Sequence, residues 1–499
     1  MPVPRSSEAR NASSAVPADA SWDHLDRLEA RARMLEPGPD VRRDWTEQVI
    51  AQAERFLTRL ADAPTYVPRG PDDPSRAVAD VPLAEEGLPL DTLLRTLETA
   101  DVPGINPASG GHLGYIPGGG LFPSALADLL ADVENRYSGI FYAGPSAVRI
   151  ENRMIRWMCE LVGYPQGAWG DLTSGGSIAN LTAIVAARQA AGLRGADLER
   201  AVVYRTPQTH HCVTKALRIA GLGDAPVREI ALDAQWRMDI GALETAIRTD
   251  RAQGLRPFLI VASAGTTDTG AVDPLGPVAE VAEREGLWLH VDAAYGGFFA
   301  LVDRLRPLFA DLRRADSVVL DPHKGLFLPY GSGAVLVRRG AALRDAFGYE
   351  AAYMRDAADE PEEPSPAHHS PELTRPFRGL RMWLPLHLFG VGPFRAALEE
   401  KLELARYFHA RVRELPDMEV GPPPTLSVVC FRWAPPGRDP DEATRALTDA
   451  LHADGRVFLS STRIDGALWL RCAVLSFRTH RRQIDQALEL IATARARLA

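Results

Sequence analysis

The residues of this chain best suited to chemistry stand in the pentapeptide Asp321-Pro322-His323-Lys324-Gly325. The apolar run Ser317-Val318-Val319-Leu320 precedes it and reads as a buried strand, and a second apolar run at 333–337 follows. Lys324 is thereby placed on a short loop between two strands, where a rigid scaffold commonly presents reactive groups. Lysine is scarce here: of 56 basic residues only Lys215, Lys324 and Lys401 are lysines. A guanidinium stays protonated and delocalised, so arginine cannot condense with an aldehyde. Lys401 falls in a helical run, 394–415, beside Glu399 and Glu400, and reads as a solvated face. Lys215 follows His210 and His211 on another helical run, which leaves Lys324 alone with a loop setting. The plain alternative for Lys324 is a surface lysine after a turn.

Two further apolar runs end in polar residues. Phe258-Leu259-Ile260-Val261-Ala262 leads into Ser263-Ala264-Gly265-Thr266-Thr267-Asp268, and Leu287-Trp288-Leu289-His290-Val291 leads into Asp292-Ala293-Ala294-Tyr295. Strand patterns alternate with helical ones from Val202 onward. That predicts a parallel sheet covered on both faces, with ligands at the strand C-terminal ends. Three strands then bring hydroxyls, an acid and a lysine to one rim. Taken singly, Asp292 reads as a helix cap and Thr267 as turn chemistry; the coincidence of all three argues for a site.

Pyridoxal phosphate is a guest whose demands these residues meet. Its aldehyde needs Lys324, and its ring nitrogen needs a carboxylate, Asp292, to stay protonated. Its ring face needs a flat partner, for which His210 is a candidate. Its phosphate needs donors at a helix N-terminus. Asp171-Leu172-Thr173-Ser174-Gly175-Gly176-Ser177 opens a helical run, so Gly176 and Ser177 suit that role, with His323 nearby. Plain N-capping by Ser177 is the alternative. A metal is the rival guest, but His210, His211, His290, His323 and Asp292 match no zinc spacing, so no metal is expected. The run 110–120 holds six glycines interleaved with His112, Leu113, Tyr115 and Ile116. It reads either as a flexible linker or as a loop held against a pocket, where glycines permit close backbone approach.

Those elements must sit on a large scaffold. A chain of 499 residues, 46% hydrophobic and 24% charged, is ordinary for a globular protein with two or three domains. A net charge of -9 gives no footprint for nucleic acid. No apolar stretch is long enough to span a bilayer. Four scattered cysteines make no disulfide framework, and a cytoplasmic location is expected. Residues 1–20 read as a disordered tail and 21–120 as an N-terminal helical segment, broken at Pro37-Gly38-Pro39 and expected to pack on a partner subunit. Residues 121–380 read as a large cofactor-binding domain and 381–499 as a small C-terminal α/β domain. A helix is expected over 303–314, and the acidic, proline-rich 357–366 reads as a mobile loop.

At these residues the sequence resembles the group II pyridoxal-phosphate-dependent decarboxylases, the family of aromatic-L-amino-acid and glutamate decarboxylases. Asp-Pro-His-Lys at 321–324 is similar to the family's cofactor-lysine motif, and His-Val-Asp-Ala-Ala-Tyr at 290–295 to its pyridine-acid motif. Thr-His-His-Cys-Val-Thr-Lys-Ala at 209–216 resembles the segment with the ring-stacking histidine, which puts that role on His210. Gly265-Thr266-Thr267 resembles a turn whose second threonine approaches the cofactor, and Gly-Gly-Ser at 175–177 resembles the phosphate turn. The resemblance implies an α/β fold of type I (aspartate-aminotransferase-like) with a mostly parallel central sheet. It also implies cofactor contacts from Ala294, substrate contacts from His112, Tyr115 and Ile116 in the glycine-rich run, a homodimer with its active site at the interface, and decarboxylation of an L-amino acid to an amine. Tyr353 matches the family's catalytic-loop tyrosine, which protonates the carbon that carbon dioxide leaves. Tyrosine there goes with amine formation, and phenylalanine with the alternative aldehyde-forming outcome.

Overall fold

The computed structural model describes residues 22–349 and 363–499. Tyr353 and most of the segment 357–366 lie outside the described residues. The chain forms two compact units, one of residues up to Arg59 with Pro74–Asp101, the other of Leu60–Asp73 with Val102–Ala499. The first unit is built from the helices Asp23–Ala32, Pro39–Arg59 and Leu90–Ala100. Its break falls where Pro37, Gly38 and Pro39 stand. Arg55 and Arg59 both reach Glu98. No side chain of the first two helices is buried, and Trp22, Leu28, Leu35 and Trp45 are exposed.

The second unit opens with a two-stranded ribbon, β1 (Tyr66–Val67) against β2 (Gly104–Ile105). Its main sheet has seven strands: β3 (Trp169–Thr173), β4 (Ala201–Arg205), β5 (Val227–Glu229), β6 (Arg256–Ser263), β7 (Trp288–Asp292), β8 (Ser317–Leu320) and β9 (Gly333–Val337). The order is β3-β9-β8-β7-β6-β4-β5, and only β9 runs against its neighbours. Every residue of β8 and β9 is buried, the signature of a sheet covered on both faces. On one face the helix Gly176–Ala190 lays Ala179, Ala183 and Ala186 against Val319, Val335 and Val337. The alternating residues Leu320 and Leu336 point to the other face, where the helix Pro145–Leu161 packs Met154, Ile155 and Met158.

The helix expected over 303–314 is instead three short turns, Asp303–Leu305, Arg306–Phe309 and Ala310–Arg314. Pro307 lacks the N–H that would carry the first turn into a continuous helix.

A second, antiparallel sheet has the order β10-β11-β13-β12, from β10 (Met418–Val420), β11 (Val428–Trp433), β12 (Ser460–Ile464) and β13 (Ala467–Ala473). The helices Val391–Val412, Pro440–Asp454 and Arg481–Leu498 accompany it, and Phe408, Phe431, Leu447, Leu470 and Ile484 form its core. Lys401 belongs to this region and corrects the solvated-face reading, because it is completely buried. Its ammonium donates to Glu400 Oε2 at 2.7 Å and to the carbonyl of Thr479. A lysine stem is apolar enough to bury when its charged end finds such partners.

Candidate active site

Because β6, β7 and β8 are adjacent and parallel, their C-terminal ends open on one rim. Ser263 ends β6 opposite Asp292, which ends β7, and Asp292 stands opposite Val319 on β8. The chain beyond β8 does not form the loop expected around Lys324. It forms a single helical turn, Pro322–Gly325, started by a proline already fixed at helical φ and capped by extended Asp321. The turn lifts Lys324 into a cavity of about 260 Å³. Lys324, Asp292, Ala294, His210, Thr267, Gly176, Ser177 and His323 all line it.

Each of these residues is held by its neighbours. Asp292 accepts from the Ala294 N–H at 3.1 Å through Oδ1 and from Asn180 Nδ2 at 3.3 Å through Oδ2. The helix that begins at Gly176 is entered through Gly175, not capped by Ser177. Gly175 has φ 150° and ψ 175°, a region essentially closed to residues with a side chain, so its position dictates glycine. Gly176 and Ser177 then form a first turn whose amides have no intrahelical acceptor, at the positive end of the dipole. His210 accepts the Cys212 N–H at Nδ1, 3.3 Å away, while His211 stands exposed beside it with ring centroids 4.1 Å apart.

The electrostatics separate these groups. Burial works against the Lys324 ammonium, but Asp321 Oδ2 at 2.9 Å and Asp292 outweigh it, so its pKa moves up. Burial draws His210 down, opposed in part by Asp292, and draws His323 down as well. Burial pushes the Cys212 thiol, also in the lining, up to about 12. Asp321 Oδ1 is buried and has no hydrogen-bond partner among the described residues.

The glycine-rich run is no free linker. A Cβ on Gly118 would stand 1.9 Å from the carbonyl oxygen of His323, so this backbone passes directly against the lysine turn. His112, Tyr115 and Ile116 nevertheless lie outside the cavity lining. His112 is buried beside Phe458, and burial lowers its pKa to about 4. Ile116 joins the main core, and Tyr115 is 56% exposed.

Three residues in or behind the cavity wall escaped the sequence reading. Gln208 lines it and accepts the hydroxyls of Thr266 and Thr269 at 2.9 and 2.6 Å. Asn180 lines it on the first helical turns. Arg471, on β13, is buried and donates to the carbonyls of Thr267 and Asp268. The spacing Gly176-x-x-x-Asn180 was a usable signal, since i and i+4 share a helix face; nothing local marked Gln208 or Arg471.

The donor set fits pyridoxal phosphate: one lysine amine within reach, one carboxylate on the neighbouring strand, and a bare helix N-terminus in the same cavity wall. The chain is similar to known proteins. The pyridoxal-dependent decarboxylase conserved domain matches residues 73–434. The chain is 36% identical over 372 residues to an aromatic-L-amino-acid decarboxylase of Bacillus atrophaeus, covering 74% of this chain and 77% of that one. It is 31% identical over 430 residues to tryptophan decarboxylase 1 of Oryza sativa subsp. japonica, covering 81% and 84%. The crystal structure of Oryza sativa TDC with PLP and tryptamine superposes with a TM-score of 0.86 at 26% identity, over 92% of this chain and 99% of that one.

Proposed function

The chain belongs to the pyridoxal-dependent decarboxylase family, a fold type I carboxy-lyase that removes carbon dioxide from an amino acid with pyridoxal phosphate; from that premise we propose its residue roles, substrate class and assembly. The observation that carries the assignment is the meeting of Lys324, Asp292 and the Gly176–Ser177 turn in one cavity.

When bound, the cofactor supplies an aldehyde for the substrate amine and an electron-poor ring that takes up the electron pair left by carbon dioxide. Lys324 Nζ is the amine that holds it. Its ammonium form is favoured at rest, so Nζ must pass a proton on before it can act as a nucleophile, and Asp321 Oδ2 at 2.9 Å is an acceptor within reach. The Asp292 carboxylate would hold a proton at the ring nitrogen. His210 would shield the ring and exclude water there. Gly176, Ser177 and His323 would receive the phosphate, and Thr267 and Ala294 would complete the ring's surroundings. Tyr353, by family resemblance, delivers the proton that replaces carbon dioxide.

The substrate class is an aromatic L-amino acid, supported by the substrates in the relatives' names. His112 and Tyr115, beside the aromatic ring of Phe458, and Ile116 serve substrate recognition from the glycine-rich run. The assembly is a homodimer. Trp22, Leu28, Leu35 and Trp45 are exposed on the N-terminal helices. Leu126, Leu129, Leu130 and Val133, also exposed, form an i, i+3, i+4, i+7 stripe on the helix Phe122–Glu134. Monomers have little reason to leave such a stripe bare.

The test mixes the cofactor-loaded protein with a panel of L-amino acids and follows carbon dioxide and amine by mass spectrometry, with Lys324→Ala alongside. Amine from an aromatic substrate, absent in the variant, is expected. Aldehyde with ammonia would move the outcome to the oxidative alternative, and a monomer in sedimentation would overturn the assembly.

A further inference from the structure

The acid that faces the cavity is the last member of a buried hydrogen-bond chain. Alternation along β7 puts His290 and Asp292 on one face, and the register sets Ser317 of β8 opposite His290. The helix Gly176–Ala190 crosses that face and lowers Asn180 between them. The links run in sequence. Trp288 Nε1 lies 2.9 Å from Ser317 Oγ, and Ser317 Oγ lies 2.8 Å from His290 Nδ1. His290 Nε2 lies 2.8 Å from Asn180 Oδ1, and Asn180 Nδ2 lies 3.3 Å from Asp292 Oδ2. His290, Asn180 and Ser317 are all fully buried.

The direction of every bond follows from groups that can play one part only. An indole N–H can only donate and takes one lone pair of Ser317 Oγ. At the other end the Gly176 carbonyl and the Asp292 carboxylate can only accept, so Asn180 turns Nδ2 to them and Oδ1 to His290 Nε2, which must donate. The neutral ring leaves Nδ1 to receive the Ser317 hydroxyl hydrogen. Nδ1 is then the acceptor, and the ring carries its hydrogen on Nε2, toward Asn180 Oδ1. Burial keeps this imidazole neutral, with a pKa lowered to about 4. The amide of Asn180 is oriented a second time by the Gly176 carbonyl, an acceptor only, 2.8 Å from Nδ2. Both constraints turn the Nδ2 hydrogens toward Asp292 and Gly176. With one oxygen on Asn180 and the other on the Ala294 N–H, the carboxylate still has free lone pairs for a cationic partner.

We propose that His290, Asn180 and Ser317 are positioning residues for Asp292, forming a one-way hydrogen-bond relay that aims its carboxylate and braces it to the Gly176 turn. The inference rests on the reading that Asp292 faces the cofactor's ring nitrogen. It deepens that reading: the cofactor is a rigid ring with a nitrogen and a phosphate at separate places, and Asn180 ties together the two protein elements that would receive them. Preorganisation of this kind is set before the ligand arrives and lowers what binding must spend on ordering the site. A histidine that merely fills the core with satisfied nitrogens would support stability without affecting what Asp292 does.

The experiment compares full-length His290→Phe, His290→Gln, Ser317→Ala and Asp292→Ala. It reads pyridoxal phosphate Kd and dissociation rate by the visible absorbance of the bound cofactor, kcat and KM for decarboxylation, and Tm. His290→Phe is expected to weaken cofactor binding by about tenfold to a hundredfold and lower kcat similarly, with KM changed by less than about threefold, as when an outer partner that orients a ligand-holding group is removed. His290→Gln keeps a side-chain N–H for Asn180 Oδ1 and is expected to recover most of both losses. A folded His290→Phe with unchanged cofactor Kd and kcat overturns the relay. So do equal losses in the Phe and Gln variants that follow Tm alone. If His290→Phe does not fold, Ser317→Ala decides: it spares the ring and frees the tautomer, and unchanged cofactor Kd there overturns the proposal. Asp292→Ala separates the two layers. If it too binds cofactor and turns over normally, the reading of Asp292 fails, and the relay with it; if it alone is impaired, only the relay fails.

Discussion

Two of the three lysines in this chain are held against carboxylates inside the second unit, and they end in opposite states. Lys401 is completely buried, and its ammonium is shared between Glu400 and the Thr479 carbonyl. Among the described residues the Lys324 ammonium is paired with Asp321; the lysine side chain is still 21% exposed, with a cavity in front of it. Burial dominates at Lys401 and its pKa falls, whereas two carboxylates win at Lys324 and its pKa rises. The third, Lys215, is exposed. A buried lysine is therefore no sign of chemistry by itself. What distinguishes Lys324 is a spare approach, with space left beside the nitrogen.

The sharpest way to break this contrast is to remove each amine. Lys324→Ala is expected to cut decarboxylation by on the order of a thousandfold or more while leaving Tm near wild type, read from carbon dioxide release and thermal unfolding. Wild-type turnover would end the assignment. Extending the contrast to bases buried away from any ion pair gives the next effect. His112 titrates near 6.5 when unfolded and at about 4 in the fold. Its folded pKa is depressed, so as pH falls from 6.5 to 4 the unfolded state takes up the proton first, and stability drops with it. The contribution is about 3 kcal/mol at most. Urea midpoints across that window should show a shallower fall in His112→Leu than in wild type. Asp273, pushed up to about 6 by burial, acts in the opposite sense in both proteins and cancels in the difference.

Lys401→Ala should cost about 2 kcal/mol, discounted because Glu400 is partly exposed, and leave kcat unchanged; urea unfolding and steady-state kinetics together check this. The smallest effect is a shift in a profile. Asp321→Asn removes the negative charge that does most to raise the Lys324 pKa, so the pH midpoint for cofactor capture by the cofactor-free protein should move down. A midpoint that stays or rises would mean that Asp321 does not govern Nζ.

Much of this site was legible because its signals are local. The runs before Thr267, Asp292 and Lys324 show strands, and their polar ends show the rim, within about ten residues each. The C-terminal burial of Lys401 was not legible, because Glu399 and Glu400 beside it look like a solvated face until the 479–480 segment folds over them. Ser177 looked like a cap because its type suits one, yet Gly175 alone can take the backbone angles at that entry.

The sequence by itself determined which residues can do chemistry and on which elements they ride. Residue type sets what a side chain can donate, accept or attack, and hydrophobic period sets strand and helix. Tertiary structure alone decided which of those residues meet. His290 and Asn180 are 110 positions apart, Asn180 and Asp292 112, and Arg471 lies 204 from Thr267. Contacts over such separations depend on strand order and on the crossing of one helix, and no window of the sequence contains both partners.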